Sequence, residues 1–280
     1  MLTHIKSVIR QVKKNSAVGA FNTFNLETTL AIARAVKKSR RPVIIQVSEK
    51  TIKYAGLKNI IAIVKSVAES ETGQIPVALH LDHGRSFDII VQCVKAGFSS
   101  VHFDGSELPL AKNIALTKKA ALYGHRFGVW AQGELGALAG QEGMEKGLKK
   151  SGERLTDPKQ VKEFVRQTGV DALAISLGTK HGRFVGRENI DFKRLKEIRK
   201  ETNIPLVLHG ASGVKSEDLK RAVKAGINIV NLDTDLRLAF VSSLRQGLKE
   251  QKLEIDPREI MNGAIKEVER AVFQKINLIS

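Results

Sequence analysis

The chain has 280 residues, of which 42% are hydrophobic and 27% charged, and it carries a formal net charge of +17. That length and composition suffice for a sizeable core and suit one α/β barrel, and the single cysteine, Cys93, excludes an internal disulfide framework and favours a reducing compartment, so a cytoplasmic protein is expected. No apolar run is long enough to cross a membrane, the N-terminus lacks a signal-like apolar core, and no zinc finger, helix-turn-helix or RNA-binding aromatic motif accompanies the positive charge, so neither membrane nor nucleic acid is expected as a partner.

The charge reads instead as a lysine-rich solvated surface, with some steering of an anionic small substrate. At the N-terminus, Leu2, Ile5, Val8, Ile9 and Val12 fall at helical spacing, which predicts a short amphipathic helix covering the open end of a barrel. Short β-rich runs then alternate with longer amphipathic stretches. The strands are predicted at Val18–Asn22, Pro42–Ser48, Pro76–His83, Ser99–Asp104, Gly128–Glu134, Ala172–Leu177, Ile204–His209 and Ile227–Asp233. Helices are predicted near 26–40, 57–70, 86–97, 107–123, 157–168, 191–202, 215–225 and 235–250, with a further one near 256–276. Cys93, inside ValGlnCysValLysAla, reads as a buried helix residue. Eight strand–helix units without a linker predict a (β/α)8 TIM barrel forming one domain over residues 1–280, with an N-terminal helix and an extra C-terminal helix. A doubly wound sheet is disfavoured, because AlaPheAsnThrPheAsn stands where a glycine-rich dinucleotide turn would follow the first strand.

Barrel chemistry sits at the C-terminal ends of the strands. Read in order, those ends offer Asn22, Ser48, Asp82 with His83, Asp104, Glu134, His181, His209, and then Asn231, Asp233 and Thr234. Packing alone does not require an ionisable or polar group at every strand end. Three imidazoles, His83, His181 and His209, leaving one open position form the pattern of a catalytic zinc site. His4 and His125 fall outside the mouth, and His80 and His102 line the barrel or support the metal shell. Strict alternation would send Asp82 and His83 to opposite faces, so one of them must lie where the backbone has turned, and Gly84 offers that freedom. From Gly136 to about Thr156 the chain is glycine-rich and long for a connection, which predicts a lid.

LeuHisLeuAspHisGly, GlyGluLeuGly, GlyThrLysHisGly, LeuHisGlyAlaSerGly and AsnLeuAspThrAsp, in this order, resemble the blocks of the class II, metal-dependent fructose- and tagatose-bisphosphate aldolases, from Asn22 to the closing helix. The resemblance implies reversible, zinc-dependent cleavage of a ketose bisphosphate to dihydroxyacetone phosphate and glyceraldehyde 3-phosphate, with fructose preferred over tagatose. It implies that Asp82 is the acid/base at the C4 hydroxyl and that His83, His181 and His209 bind Zn2+. Asp104 and Glu134 match a second or displaced metal position, and Glu142 resembles the mobile carboxylate that exchanges a proton with the triose carbon. Asn22 is taken as a substrate contact at the mouth. Ser48 matches an aldehyde-side phosphate contact, and Gly182, Gly210, Ala211, Ser212, Asn231, Asp233 and Thr234 match the dihydroxyacetone phosphate site. A monovalent cation, Na+ or K+, near Gly182 and Ser212 and a homodimer or homotetramer are implied as well.

The chain departs from the family pattern in the long loop, with Ala139 where a glycine is usual and Gly143 where an aspartate is common. Backbone N–H groups at GlyAlaSerGly and AsnLeuAspThr, near helix N-termini, suit phosphate. Three rivals stand beside this reading. A Schiff-base lysine at Lys180 would leave the histidines without purpose, a zinc hydrolase would not need paired phosphate loops, and a nucleic-acid-binding barrel would show steeply salt-dependent binding.

Overall fold

The computed structural model describes residues 1–137, 139–140, 154–181 and 189–280. In chain order the elements are α1 (Ile5–Ile9), β1 (Val18–Asn22), α2 (Leu26–Ser39), β2 (Val43–Ser48), α3 (Glu49–Ala55), α4 (Leu57–Glu71), β3 (Val77–Gly84), α5 (Phe87–Lys95), β4 (Ser100–Phe103), α6 (Leu110–Arg126) and β5 (Trp130–Leu135). There follow β6 (Ala139–Gly140), α7 (Pro158–Thr168), β7 (Ala172–Ile175), β8 (Lys180–His181), α8 (Phe192–Glu201), β9 (Leu206–Leu208), α9 (Ser216–Lys224), β10 (Ile227–Leu232), α10 (Thr234–Glu250) and α11 (Pro257–Ile279).

The local sequence explains where the helices begin. Asn25 and Thr28 form a capping box on α2, Ser86 caps α5, Asp191 caps α8, and Asp157–Pro158 and Asp256–Pro257 start α7 and α11 with an acceptor followed by a proline at the first turn. Eight parallel strands close in the order β1-β2-β3-β4-β5-β7-β9-β10, with β10 pairing back onto β1, as the strand–helix alternation predicts. No helix among the described residues is long and apolar enough to cross a membrane.

Strand alternation divides the buried side chains into two sets. Phe21, Val43, Ile45, Val47, Val77, Leu79, Leu81, Val101, Leu173, Leu206 and Val230 face outward and pack under the helices. Val18, Ala20, Ile44, Ala78, Ala172, Ala174, Val207 and Ile229 face inward, where Ile5 and Val8 of α1 plug the N-terminal end of the barrel. The covering helix is therefore as expected, though only one short turn-and-a-half of the apolar run is helical: Leu2 instead bridges in parallel to Val77. At the other end of the chain, α11 seals β1 and α2, with Ala17 N–H donating to Ile279 O at 2.8 Å.

Two features escape the sequence pattern. Helix α3 is inserted between β2 and α4, nucleated by the Ser48 hydroxyl accepting from Thr51 N–H. Strands β6 and β8 pair over only two residues each, Ala139 with Lys180 and Gly140 with His181, too short for periodicity to reveal. The long connection after β5 is tied at its base, where Ala137 and Arg154 exchange backbone hydrogen bonds at 2.7 and 2.9 Å.

The turn at the end of β3 departs from expectation in its details. His83, not Gly84, adopts the left-handed backbone, with φ 49°, and the β3–β4 register slips between Leu81 and Gly84. Gly84 is required for a different reason: a Cβ there would lie 2.9 Å from His102 O and 2.8 Å from Leu81 Cδ2. Gly84→Ala should therefore destabilise the fold by roughly 1–3 kcal/mol, measured as a lower urea midpoint; an unchanged midpoint would show that the strands separate freely here. Cys93 is buried in α5, and burial pushes its thiol up to about 12. Iodoacetamide at pH 8 should label it only in step with global unfolding.

Candidate active site

The inward-facing positions change character along the barrel axis. Above the apolar plug lie Gln46, His80, Ser100 and Gln132, and above these Asn22, Ser48, Asp82, His102, Glu134, His209 and Asn231, all buried. Asp82 falls on the inward phase of β3, two residues beyond His80. His83 would fall on the outward phase, and its left-handed backbone swings it inward beside Asp82. A non-glycine residue held there costs on the order of 1–3 kcal/mol, a strain that the surrounding contacts must offset.

Those contacts are polar and dense. His83 Nδ1 meets Asp104 Oδ2 at 2.9 Å, and Asp104 Oδ1 accepts from Ser106 N–H at 3.1 Å and from its hydroxyl at 2.6 Å. Arg85 Nε stands 3.7 Å from Asp104 Oδ2, and Glu134 Oε2 lies 3.7 Å from His83 Nδ1 and 3.4 Å from His102 Nε2. On the other side of the ring, His83 Nε2 faces His209 Nδ1 at 3.0 Å, and Asp82 Oδ1 lies 3.9 Å away. Asp82 is itself held by Asn22 Nδ2, donating to Oδ2 at 2.8 Å, and by Gln46 Nε2, donating to Oδ1 at 3.5 Å. Thr179 Oγ1 donates to His209 O at 2.7 Å and fixes the end of β9.

Burial opposes protonation of His83, but the charge of Asp82, the hydrogen bond and charge of Asp104, and the charge of Glu134 outweigh it and hold its pKa well above the ordinary imidazole value. Burial would likewise raise Asp104, yet its bond to His83 and the neighbouring imidazoles keep it well below the usual carboxylate range. His80 is driven well below the ordinary value by burial and by His102 and His83, which leaves it neutral. A site that so favours a positive charge on His83 favours a bound cation for the same reason.

The donor set fits a metal. Asp82, His83, His102 and His209 bring ligand atoms within 4.8 Å of one another, and so do His83, Asp104 and Glu134. Two nitrogens about 2.0–2.1 Å from a tetrahedral zinc stand about 3.3 Å apart, close to the 3.0 Å between His83 Nε2 and His209 Nδ1. Imidazole and carboxylate are the donors that zinc takes in catalytic sites.

The mouth thus joins Asp82, His83, His209, Asp104, Glu134, Asn22 and Asn231. His181 lies in β8, but its side chain is outside the described residues, as are Glu142, Gly182 and residues 141–153 of the stretch read as a lid. Ser48 is at the N-terminus of α3, 3.2 Å from the Thr51 hydroxyl. Gly210 precedes a single 3-10 turn, Ala211–Gly213, and Ser212 Oγ accepts from Asp235 N–H at 3.3 Å, tying that turn to the first turn of α10, where Asp233 and Thr234 stand. His4 and His125 are structural: His4 caps α1 and contacts Gly128 O at 2.7 Å, and His125 meets Asp171 at 2.8 Å. Sequence reasoning gave Gln46 and Gln132 no role and left His102 undecided between lining and support. Each lies two residues before a site residue on its strand (Ser48, Glu134 and Asp104), so strand phase alone would have placed all three inside.

A closed parallel barrel with a buried imidazole–carboxylate cluster at its mouth is the frame of a metal-dependent barrel enzyme. The comparisons narrow that class: the family model for class II fructose-bisphosphate aldolase matches residues 3–280, and the chain belongs to this family of metal-dependent lyases. It is 38% identical over 265 residues to a protein of Bacillus subtilis (strain 168) named a probable fructose-bisphosphate aldolase, covering 94% of this chain and 92% of that one. Among solved structures it is similar to the YdjI aldolase of Escherichia coli K12, with TM-score 0.85 and 30% identity over 100% of this chain and 98% of that one. The fold is shared also with a fructose-bisphosphate aldolase of Campylobacter jejuni, at TM-score 0.82 and 22% identity over 99% and 95% of the two chains.

Asp104→Ala removes the carboxylate that orients His83. Zinc affinity should fall roughly 10- to 100-fold, read by competition with a chromophoric chelator. Unaltered affinity would mean that the strand end alone orients the ring.

Proposed function

We propose that the protein is a zinc-dependent fructose 1,6-bisphosphate aldolase, cleaving its substrate reversibly to dihydroxyacetone phosphate and glyceraldehyde 3-phosphate in the glycolytic and gluconeogenic direction. The observation that carries this reading is the placement of Asp82, clamped by two carboxamides, beside the facing nitrogens of His83 and His209. Residues 1–280 are read as one barrel domain, with His83, His209 and His181 holding Zn2+ and Asp104 with Glu134 offering a second position around His83.

Retro-aldol cleavage breaks C3–C4 and needs a base at the C4 hydroxyl and a sink for the electron pair left on the triose fragment. Bound zinc supplies Lewis acidity for that charge. Asp82 takes the C4 hydroxyl proton; Asn22 and Gln46 donate to its two oxygens, which fixes its aim. Glu142 would then deliver a proton to the triose carbon. Phosphate of the triose half binds where the Gly210–Ser212 turn meets the N-terminus of α10, whose Asp233 gives its carboxylate to Arg237 at 2.7 Å rather than to the helix N–H groups. Asn231 completes that half, and Gly182 joins it with a monovalent cation nearby. Ser48 receives the aldehyde-side phosphate. A cytoplasmic homodimer or homotetramer is the expected form. Tagatose 1,6-bisphosphate, differing in configuration at one hydroxyl carbon, is the alternative substrate.

Cleavage of fructose 1,6-bisphosphate should disappear on chelation and return with zinc. Activity that survives chelation and is trapped by borohydride would transfer the chemistry to a lysine such as Lys180, and a clear preference for the tagatose ester would replace the substrate. Asp82→Ala should bind zinc normally and lose on the order of 10²- to 10⁴-fold in turnover; loss of zinc instead would make Asp82 a ligand.

A further inference from the structure

Away from the barrel mouth, the turn that joins α10 to α11 holds two apolar side chains in water. Leu253 and Ile255 are 95% and 94% exposed there. The turn is nonetheless held in place: Glu254 N–H donates to Gln251 O at 3.0 Å, Asp256 N–H donates to Glu254 Oε1 at 2.8 Å, and Asp256 caps α11. An ordered knob of this kind contributes nothing to packing within its own chain, and paired exposed apolar groups mark interaction surfaces. Acids surround it. Residues 250–259 carry Glu250, Glu254, Asp256 and Glu259 against Lys252 and Arg258, in a chain that has 46 basic residues and 29 acidic ones.

A groove of complementary character lies between α4 and α5. It has a volume of about 550 Å³, an apolar lining that includes Ile61, Ala62 and Ala96, and three exposed lysines, Lys58, Lys65 and Lys95. Among the described residues none of these lysines forms an ion pair, and neither Glu250 nor Glu254 meets a cation: Glu250 accepts from Gln246 at 2.9 Å and Glu254 from the Asp256 N–H. The knob does not fill the groove of its own chain. Helix α2 packs against α11 on one side and α4 on the other, so it stands between them, and both knob side chains remain exposed.

We propose that the Leu253–Ile255 knob of one copy docks into the α4–α5 groove of a second copy, with Glu250 and Glu254 meeting the groove lysines. The apolar side chains supply the contact, and the charges select its register, because the same lysines repel most of so basic a surface. Knob and groove are different surfaces and every copy carries one of each. The contact therefore closes reciprocally between two copies or around a ring. Two side chains fall short of the roughly 800 Å² per partner of a standard interface, so assembly depends on protein concentration. The surface shares no residue with the metal donors or the phosphate loops. It names a contact for the homo-oligomer expected above, and its failure would leave the reading of the mouth untouched.

Light scattering and sedimentation of the full chain over a wide concentration range read the assembly. Leu253→Ser with Ile255→Ser blunts the knob; Lys58→Glu, Lys65→Glu and Lys95→Glu together reverse the groove; Glu250→Lys with Glu254→Lys reverses the knob. All these positions are exposed, so thermal midpoints should stay at the wild-type value. The expected result is an assembling wild type whose dissociation constant rises roughly 10-fold or more in each of the three variants, and an assembly that returns when the two charge reversals are combined in one chain. Should the groove variant fail to fold, Ala62→Arg fills the groove from an exposed helical position and is expected to dissociate the assembly alike. A wild type that stays monomeric at every concentration, whatever else its groove then binds, would overturn the proposal. So would an assembly indifferent to the blunted knob, or a combined charge reversal that restores nothing.

Discussion

The site depends on one backbone conformation, the left-handed turn at His83. An extended strand presents neighbours to opposite faces, so Asp82 and His83 cannot enter one cavity while β3 remains regular. The turn and the slipped register against β4 break the alternation by one residue, at the point where the barrel opens. The strain is offset by what His83 gains, a 2.9 Å contact with Asp104 on one nitrogen and a 3.0 Å contact with His209 on the other. The close approach of Gly84 to His102 O lets the slipped strands stay packed.

The same alternation organises the rest of the barrel. Outward residues are apolar because they meet helices, and inward residues pass from the α1 plug through an amide-and-imidazole layer to ionisable groups at the mouth. A buried polar layer is costly unless its members are paired, and here the pairings converge on the mouth: Asn22 and Gln46 on Asp82, Gln132 and Asn231 on His209. Negative charge from Asp82, Asp104 and Glu134 gathers around His83, so that within a strongly basic chain the mouth of the barrel is a place that favours a cation.

Much of this was legible in the sequence. Eight β-rich runs ending in polar residues predicted the barrel, and Asp82, His83, Asp104, Glu134 and His209 do converge at its mouth. What escaped did so for identifiable reasons. Helix α3 begins on the Ser48 cap, inside a stretch that composition alone reads as a loop, and β6 and β8 are shorter than any repeat. Alternation requires one of Asp82 and His83 to sit where the backbone turns, and it is His83, whose own backbone takes the strain, while Gly84 is needed for closeness to His102 O. Gln46 and Gln132 carry no chemical signal of their own in the sequence; their phase along the strand, not their type, marks them as part of the site.

A divalent metal between His83 and His209 is what joins the strained turn, the carboxylates and the proposed chemistry. Anomalous diffraction at the zinc edge, from crystals of the zinc-loaded protein, would locate it. A single strong peak within bonding distance of His83 Nε2 and His209 Nδ1 is the predicted result. A peak elsewhere, or none with zinc in excess, would contradict the reading of this mouth as a metal centre.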